Sequence, residues 1–166
     1  MTEKLVEFII HYASWLNKEV LVFIISMTPI LELRGGVLAG YWLGLPLWTT
    51  SIIAVIGNLL PIPFILFFIE KILAFLVKHN ILTSFITKLR ERALHKSKGL
   101  QNMEFIGLML FVGIPLPGTG AWTGALVAET LQMDRKKAML AITLGVIIAL
   151  VIMLIVSYGV LNQIGL

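Results

Sequence analysis

Residues 138–160 contain no charged side chain. At about 1.5 Å of rise per residue, a helix of that length crosses the ~30 Å hydrocarbon layer of a bilayer. The rest of the chain agrees. Of its 166 residues 58% are hydrophobic and 13% charged, with a mean hydropathy of +0.97. Soluble domains are about 45–50% apolar and about 25% charged, and a soluble fold this small has too little interior for these side chains. The chain therefore reads as one integral membrane domain built from helices.

Composition excludes several functions. With no cysteine, disulfides, thiolate catalysis and cysteine-based metal sites are ruled out. The net charge of +4 does not point to nucleic acid, because the basic residues gather at Lys88–Lys98 and Arg135–Lys137, beside apolar segments. That is the pattern of a cytoplasmic membrane face. Residues 1–19 mix Glu3, Lys4, Glu7, His11 and Lys18 with apolar positions, so no cleavable signal peptide is expected.

Leu5, Phe8, Ile9, Tyr12, Trp15 and Leu16 recur at spacings of three and four, which predicts an amphipathic helix over 1–18. Residues 20–31 are apolar but too short to span, and they stop at Pro29 and the run Glu32-Leu33-Arg34-Gly35-Gly36. A second short piece follows to Trp48, so 20–48 reads as a hairpin that enters the membrane and returns. Residues 49–77 form a long span with Pro61 and Pro63 inside it, which predicts a kink. Asn58 is expected to bond the carbonyls that the prolines free. Residues 78–104 are a basic, water-facing connection.

The same order then recurs. Residues 105–131 form a second short-break-short segment around Pro115-Leu116-Pro117-Gly118-Thr119-Gly120, and 138–160 is the second span. An offset of 84 residues lays Gly36, Gly40 and Gly44 over Gly120, Gly124 and Ala128. Were 105–131 to cross fully, the two basic clusters would fall on opposite sides; a re-entrant hairpin keeps both in the cytoplasm. Two hairpins entering from opposite faces, each followed by a span, make an inverted repeat. Broken backbone at that depth has to be buried in protein or line a wet cavity.

The strongest functional signal is Glu32 with Arg34. A charge at mid-bilayer costs about 2.5–3.5 kcal/mol on insertion scales and commonly marks a pathway or relay. Arg34 stays protonated and can fork onto a phosphate or carboxylate, while Glu32, partly out of water, is a candidate for proton exchange. The competing reading is a buried pair that only holds the break together. Gly35 and Gly36 open one short helix, and Pro117, Gly118, Thr119 and Gly120 precede the other. Free amides at a helix start attract anions, although Thr119 can equally serve as a cap. Both helix starts are expected to face one central cavity.

The glycine rows suit close helix packing within the monomer, with a homo-oligomer as the less favoured use. Tyr41, Trp42, Trp48 and Tyr158 fit interfacial belts. His11, His79 and His95 are scattered, and no metal site, cofactor or nucleophile–base set is expected.

Pro29-Ile30-Leu31-Glu32-Leu33-Arg34-Gly35-Gly36, with Pro115-Leu116-Pro117-Gly118-Thr119-Gly120-Ala121-Trp122-Thr123-Gly124 later, resembles the prokaryotic small multi-drug export protein family. That family looks like a relative of the DedA (VTT-domain) membrane proteins, and the resemblance covers about residues 20–160. It implies two opposed re-entrant hairpins, a multi-pass protein of the prokaryotic plasma membrane, and transport or transbilayer movement of lipids and amphiphiles. Some DedA relatives are associated with undecaprenyl phosphate recycling, some with proton-dependent drug tolerance, and eukaryotic VTT proteins with lipid scrambling. Acidic and arginine residues of the re-entrant regions matter in that group, and Glu32 and Arg34 are the matching positions here. The second hairpin departs from it, with Gly118-Thr119-Gly120 where DedA proteins tend to carry arginine. The expectation is a transporter, proton-linked, for an amphiphilic or anionic small molecule or lipid, with the bilayer as its other partner. A passive scramblase or channel, a lipid-phosphate enzyme and a structural membrane-assembly protein remain the alternatives.

Overall fold

The computed structural model describes residues 17–79, 101–116 and 118–161. The amphipathic stretch expected at 1–18 and most of the basic connection at 78–104 lie outside them. The described residues form seven α-helices without a strand: α1 Lys18–Met27, α2 Glu32–Trp42, α3 Leu47–Leu59, α4 Ile62–Lys78, α5 Gln101–Gly113, α6 Ala121–Thr130 and α7 Arg135–Leu154. A π-helical turn, Ile155–Leu161, continues α7.

Among the described residues, two helical stretches are long and apolar enough to cross a membrane, Leu47–Phe68 and Arg135–Gly159. The first is bent where α3 meets α4 at Leu60 and Pro61, as the prolines predict. Its continuation reaches Lys78. The shorter helices have half the necessary length: α1, with 10 residues, rises only about 15 Å.

α1 packs on α2 and α3, and α5 packs on α7, which also takes α2 and α6. Two glycines permit these approaches. A Cβ at Gly57 would lie 2.7 Å from the Phe23 carbonyl oxygen, and one at Gly145 2.6 Å from that of Met109. The side chains facing them differ: Ser26 stands against Gly57, and Val112 against Gly145.

The two halves also share a local device. After α2 the Gly44 N–H donates to the Tyr41 carbonyl (3.0 Å) and the Leu45 N–H to that of Gly40 (2.9 Å). After α6 the Gln132 N–H donates to the Glu129 carbonyl (2.8 Å) and the Met133 N–H to that of Ala128 (3.0 Å). Gly44 and Gln132 both have positive φ, 70° and 52°. These are paired Schellman caps, in which a left-handed residue closes the last turn. They lie 88 residues apart, not 84. A register built on these caps is one helical turn from the one the glycines suggest, because glycines repeating every four residues match equally well when slid by four. On the cap register Gly36 corresponds to Gly124, and Glu32 to Gly120.

One end of the molecule gathers the ends of several elements. The Lys18 ammonium donates to the Leu43 carbonyl (2.8 Å), so α1 and α2 form a hairpin. The Tyr158 hydroxyl donates to the Leu45 carbonyl (3.0 Å) and lies 2.8 Å from that of Thr50. Tyr41 meets Tyr158 edge to face at 5.2 Å, so these two tyrosines pack on each other, whereas Trp42 and Trp48 are exposed as a belt requires. At the other end, the Arg135 guanidinium lies 5.8 Å from the centre of the Phe67 ring.

Gly145→Ala should cost about 1–3 kcal/mol of stability by overpacking α5 against α7. Thermal unfolding of the purified protein measures it. Gly107→Ala, whose Cβ meets nothing within 4 Å, is expected to cost nothing.

Candidate functional site

A helix that stops inside the fold leaves its last carbonyls and the next helix's first amides without intrahelical partners. The break between α5 and α6, residues 114–120, has both problems at once, and the break between α1 and α2 answers them. Glu32 begins α2 with φ of 51°, a left-handed conformation uncommon for a residue with a side chain. Its side chain is 5% exposed. Oε1 accepts the Trp122 amide proton at 3.2 Å, so the carboxylate sits on the first turn of α6, where the helix dipole favours negative charge. Gly120 is the N-cap, and a Cβ there would occupy the space the carboxylate fills. The missing side chain of Gly120 is the slot for Glu32.

Arg34 treats the other side of the break. Its Nη1 donates to the Leu116 carbonyl, and its Nη2 to the Thr119 hydroxyl (3.0 Å) and, at the long limit, the Ile114 carbonyl (3.4 Å). The Thr119 hydroxyl reaches the Ile114 and Leu116 carbonyls, each at 2.8 Å. A cation thus lies against the carbonyls just beyond α5 and an anion against the amides that open α6. Each is the sign that the adjacent dipole favours.

Of the expected site residues, the structure brings together Glu32, Arg34, Thr119 and Gly120. Gly118 is exposed, has φ of 81° and turns the loop. Gly35 and Gly36 face α1 instead: a Cβ on Gly35 would meet Leu31 and Ile25, and one on Gly36 would meet Ser26. They are packing positions. Pro117 lies outside the described residues. Thr119 does not cap α6, since its hydroxyl is turned back to the carbonyls, and the anion drawn to the helix start is the protein's own carboxylate.

Asn58 also differs from expectation. Its Nδ2 donates to the Ser26 carbonyl at 3.2 Å, near the end of α1, rather than to carbonyls beside Pro61. Ser26 lies in the last turn of α1, where the carbonyls have no intrahelical partner, so its carbonyl is open to the Asn58 amide. Sequence reasoning missed Ile114, Leu116 and Trp122 as partners because they act through backbone atoms, which no side-chain pattern reports.

Among the described residues the chain is all-helical, with two membrane-length apolar helices and charges bonded to helix ends inside, which is the make-up of a membrane protein. Residues 32–152 match the family described as "Putative small multi-drug export protein", and the chain belongs to that family. No curated protein and no solved structure matches it.

If Gly120 is the carboxylate slot, Gly120→Ala should destabilise the protein strongly when Glu32 is present and much less in a Glu32→Ala background. Thermal unfolding of the four proteins gives the coupling directly. Additive losses would show that the two positions do not share that space. Arg34→Ala should cost about 1.5–3 kcal/mol, the worth of hydrogen bonds to a charged group.

Proposed function

We propose that this protein is a proton-linked exporter of amphiphilic or anionic small molecules, and that the junction of the two breaks is its gate. The observation that carries this reading is the placement of Glu32 and Arg34. Both are ionisable, both stand in the first turn of α2 just after one break, and both are bonded to backbone at the other, between helices too short to span. The family description supports export.

The proposed topology is an inverted pair of re-entrant hairpins of the DedA kind in a prokaryotic plasma membrane. Three observations support it. The Schellman caps recur 88 residues apart. Each first short helix packs on the long helix of its own half. The end carrying Arg135–Lys137 is opposite the end where Tyr158 meets Leu45, and basic residues favour the cytoplasmic face.

Proton uptake by Glu32 removes the negative charge from the start of α6 and weakens its hold on the Trp122 amide. The tips then part, and the Arg34 guanidinium, released from the Leu116 and Thr119 oxygens, is available to an anionic group of the substrate. Loss of the proton on the other side restores the carboxylate and closes the junction. The described conformation is the closed one, with Glu32 buried.

Proteoliposomes with an imposed pH gradient and an anionic amphiphilic dye test the proposal. Wild-type flux should follow the gradient; Glu32→Gln should make it indifferent to pH. Gradient-driven flux persisting in that variant would sink proton linkage through Glu32. Flux indifferent to pH in the wild type would favour a passive pathway.

A further inference from the structure

Away from the junction, α4 and the first turns of α7 border an open groove of about 500 Å³. Its walls are apolar, with Leu66 and Met139 inside and Phe67 and Leu140 at the rim. Thr143 adds no polar group to it, because its hydroxyl is bonded to the Met139 carbonyl at 2.8 Å. The mouth is different: Arg135 and Lys136 stand there, both exposed, with Lys137 beside them.

The bonds that Asp134 makes are to backbone and not to these cationic side chains. Asp134 Oδ1 accepts from the backbone amides of Lys136 (3.0 Å) and Lys137 (3.2 Å) as the N-cap of α7. The ring of Phe67 lies beneath Arg135 and helps to hold the guanidinium at the mouth. Below it, Leu140, Leu144, Ile147, Val151 and Ile155 continue as an exposed apolar stripe along α7. Cations at one end of a membrane-length helix, above a groove and a stripe that are wholly apolar, match an amphiphile with an anionic head.

We infer that this groove docks an anionic membrane lipid, its phosphate between Arg135 and Lys136 and an acyl chain along Phe67, Leu140 and the α7 stripe. The lipid is a bound partner rather than cargo, so the inference does not depend on the export reading. Charge selects this occupant over the chain's own residues 80–100, which carry Lys88, Arg90, Arg92, Lys96 and Lys98 against the single acid Glu91. A second copy of this chain would bring the same basic cluster to the mouth. A soluble anion would make no use of the apolar walls.

The absence of cysteine makes the test clean, because Leu140→Cys introduces the only thiol. Maleimide labelling of the full chain in detergent would be followed with added phosphatidylglycerol, phosphatidylcholine of the same chains, or inorganic phosphate. Phosphatidylglycerol should slow labelling about tenfold relative to phosphatidylcholine, in line with the attraction of two cations to an anionic headgroup. Adding Arg135→Gln and Lys136→Gln, both at exposed positions, should abolish that difference. Native mass spectrometry of the wild type should show retained phosphatidylglycerol. Equal protection by both lipids would overturn the inference, and so would protection that survives the double substitution. Protection by inorganic phosphate alone, or without lipid in a chain eluting as a dimer, would do the same.

Discussion

Backbone that leaves a helix inside an apolar environment has no water to satisfy it, and each orphaned group costs free energy comparable to a lost hydrogen bond. In the proposed re-entrant topology the chain between α5 and α6 concentrates that problem, with carbonyls at Ile114 and Leu116 on one side and the first amides of α6 on the other. Glu32 and Arg34 solve it from the opposite break. Two ionisable groups that would be expensive to bury alone are placed against helix ends whose dipoles favour their charged forms. The left-handed Glu32, the bare Gly120 and the inward turn of Thr119 all follow from that arrangement.

The solution is one-sided. On the register of the Schellman caps Glu32 aligns with Gly120, and these two positions meet, with the charge on one and the space on the other. The same asymmetry runs into the packing. Ser26 and Asn58 hold the first hairpin to its long helix with a hydrogen bond, where the second half presents Val112 and Val146. In the proposed transport cycle the asymmetry makes the first break the titrating partner and the second a passive acceptor.

Much of the fold was legible in the sequence because lipid imposes simple rules. The uncharged run at 138–160 and the proline bend near Pro61 each reported on one helix at a time, and the structure has helices there; the first break falls at residues 28–31, and the run Glu32–Gly36 read as the break is instead the start of α2. The pairing of the halves was harder to read. Glycines spaced by four fit more than one register, and the hydrogen bonds of the caps at Gly44 and Gln132 favour an offset of 88 residues. Glu32 and Arg34 stood out as charges in apolar surroundings. Their partners did not, because carbonyl and amide groups are carried by every residue and only the fold decides which are left unpaired.

The central claim is that Glu32 and Arg34 hold the two breaks together at their tips. Ile30 and Leu116 are exposed residues of those breaks, and the chain has no cysteine, so Ile30→Cys with Leu116→Cys gives one specific spin-label pair. Double electron–electron resonance on that pair in a bilayer measures the tip-to-tip distance. A single narrow distribution in the otherwise native chain, which broadens and lengthens when Glu32→Ala and Arg34→Ala are added, is the predicted result. An identical distribution with and without the two charges would contradict the account.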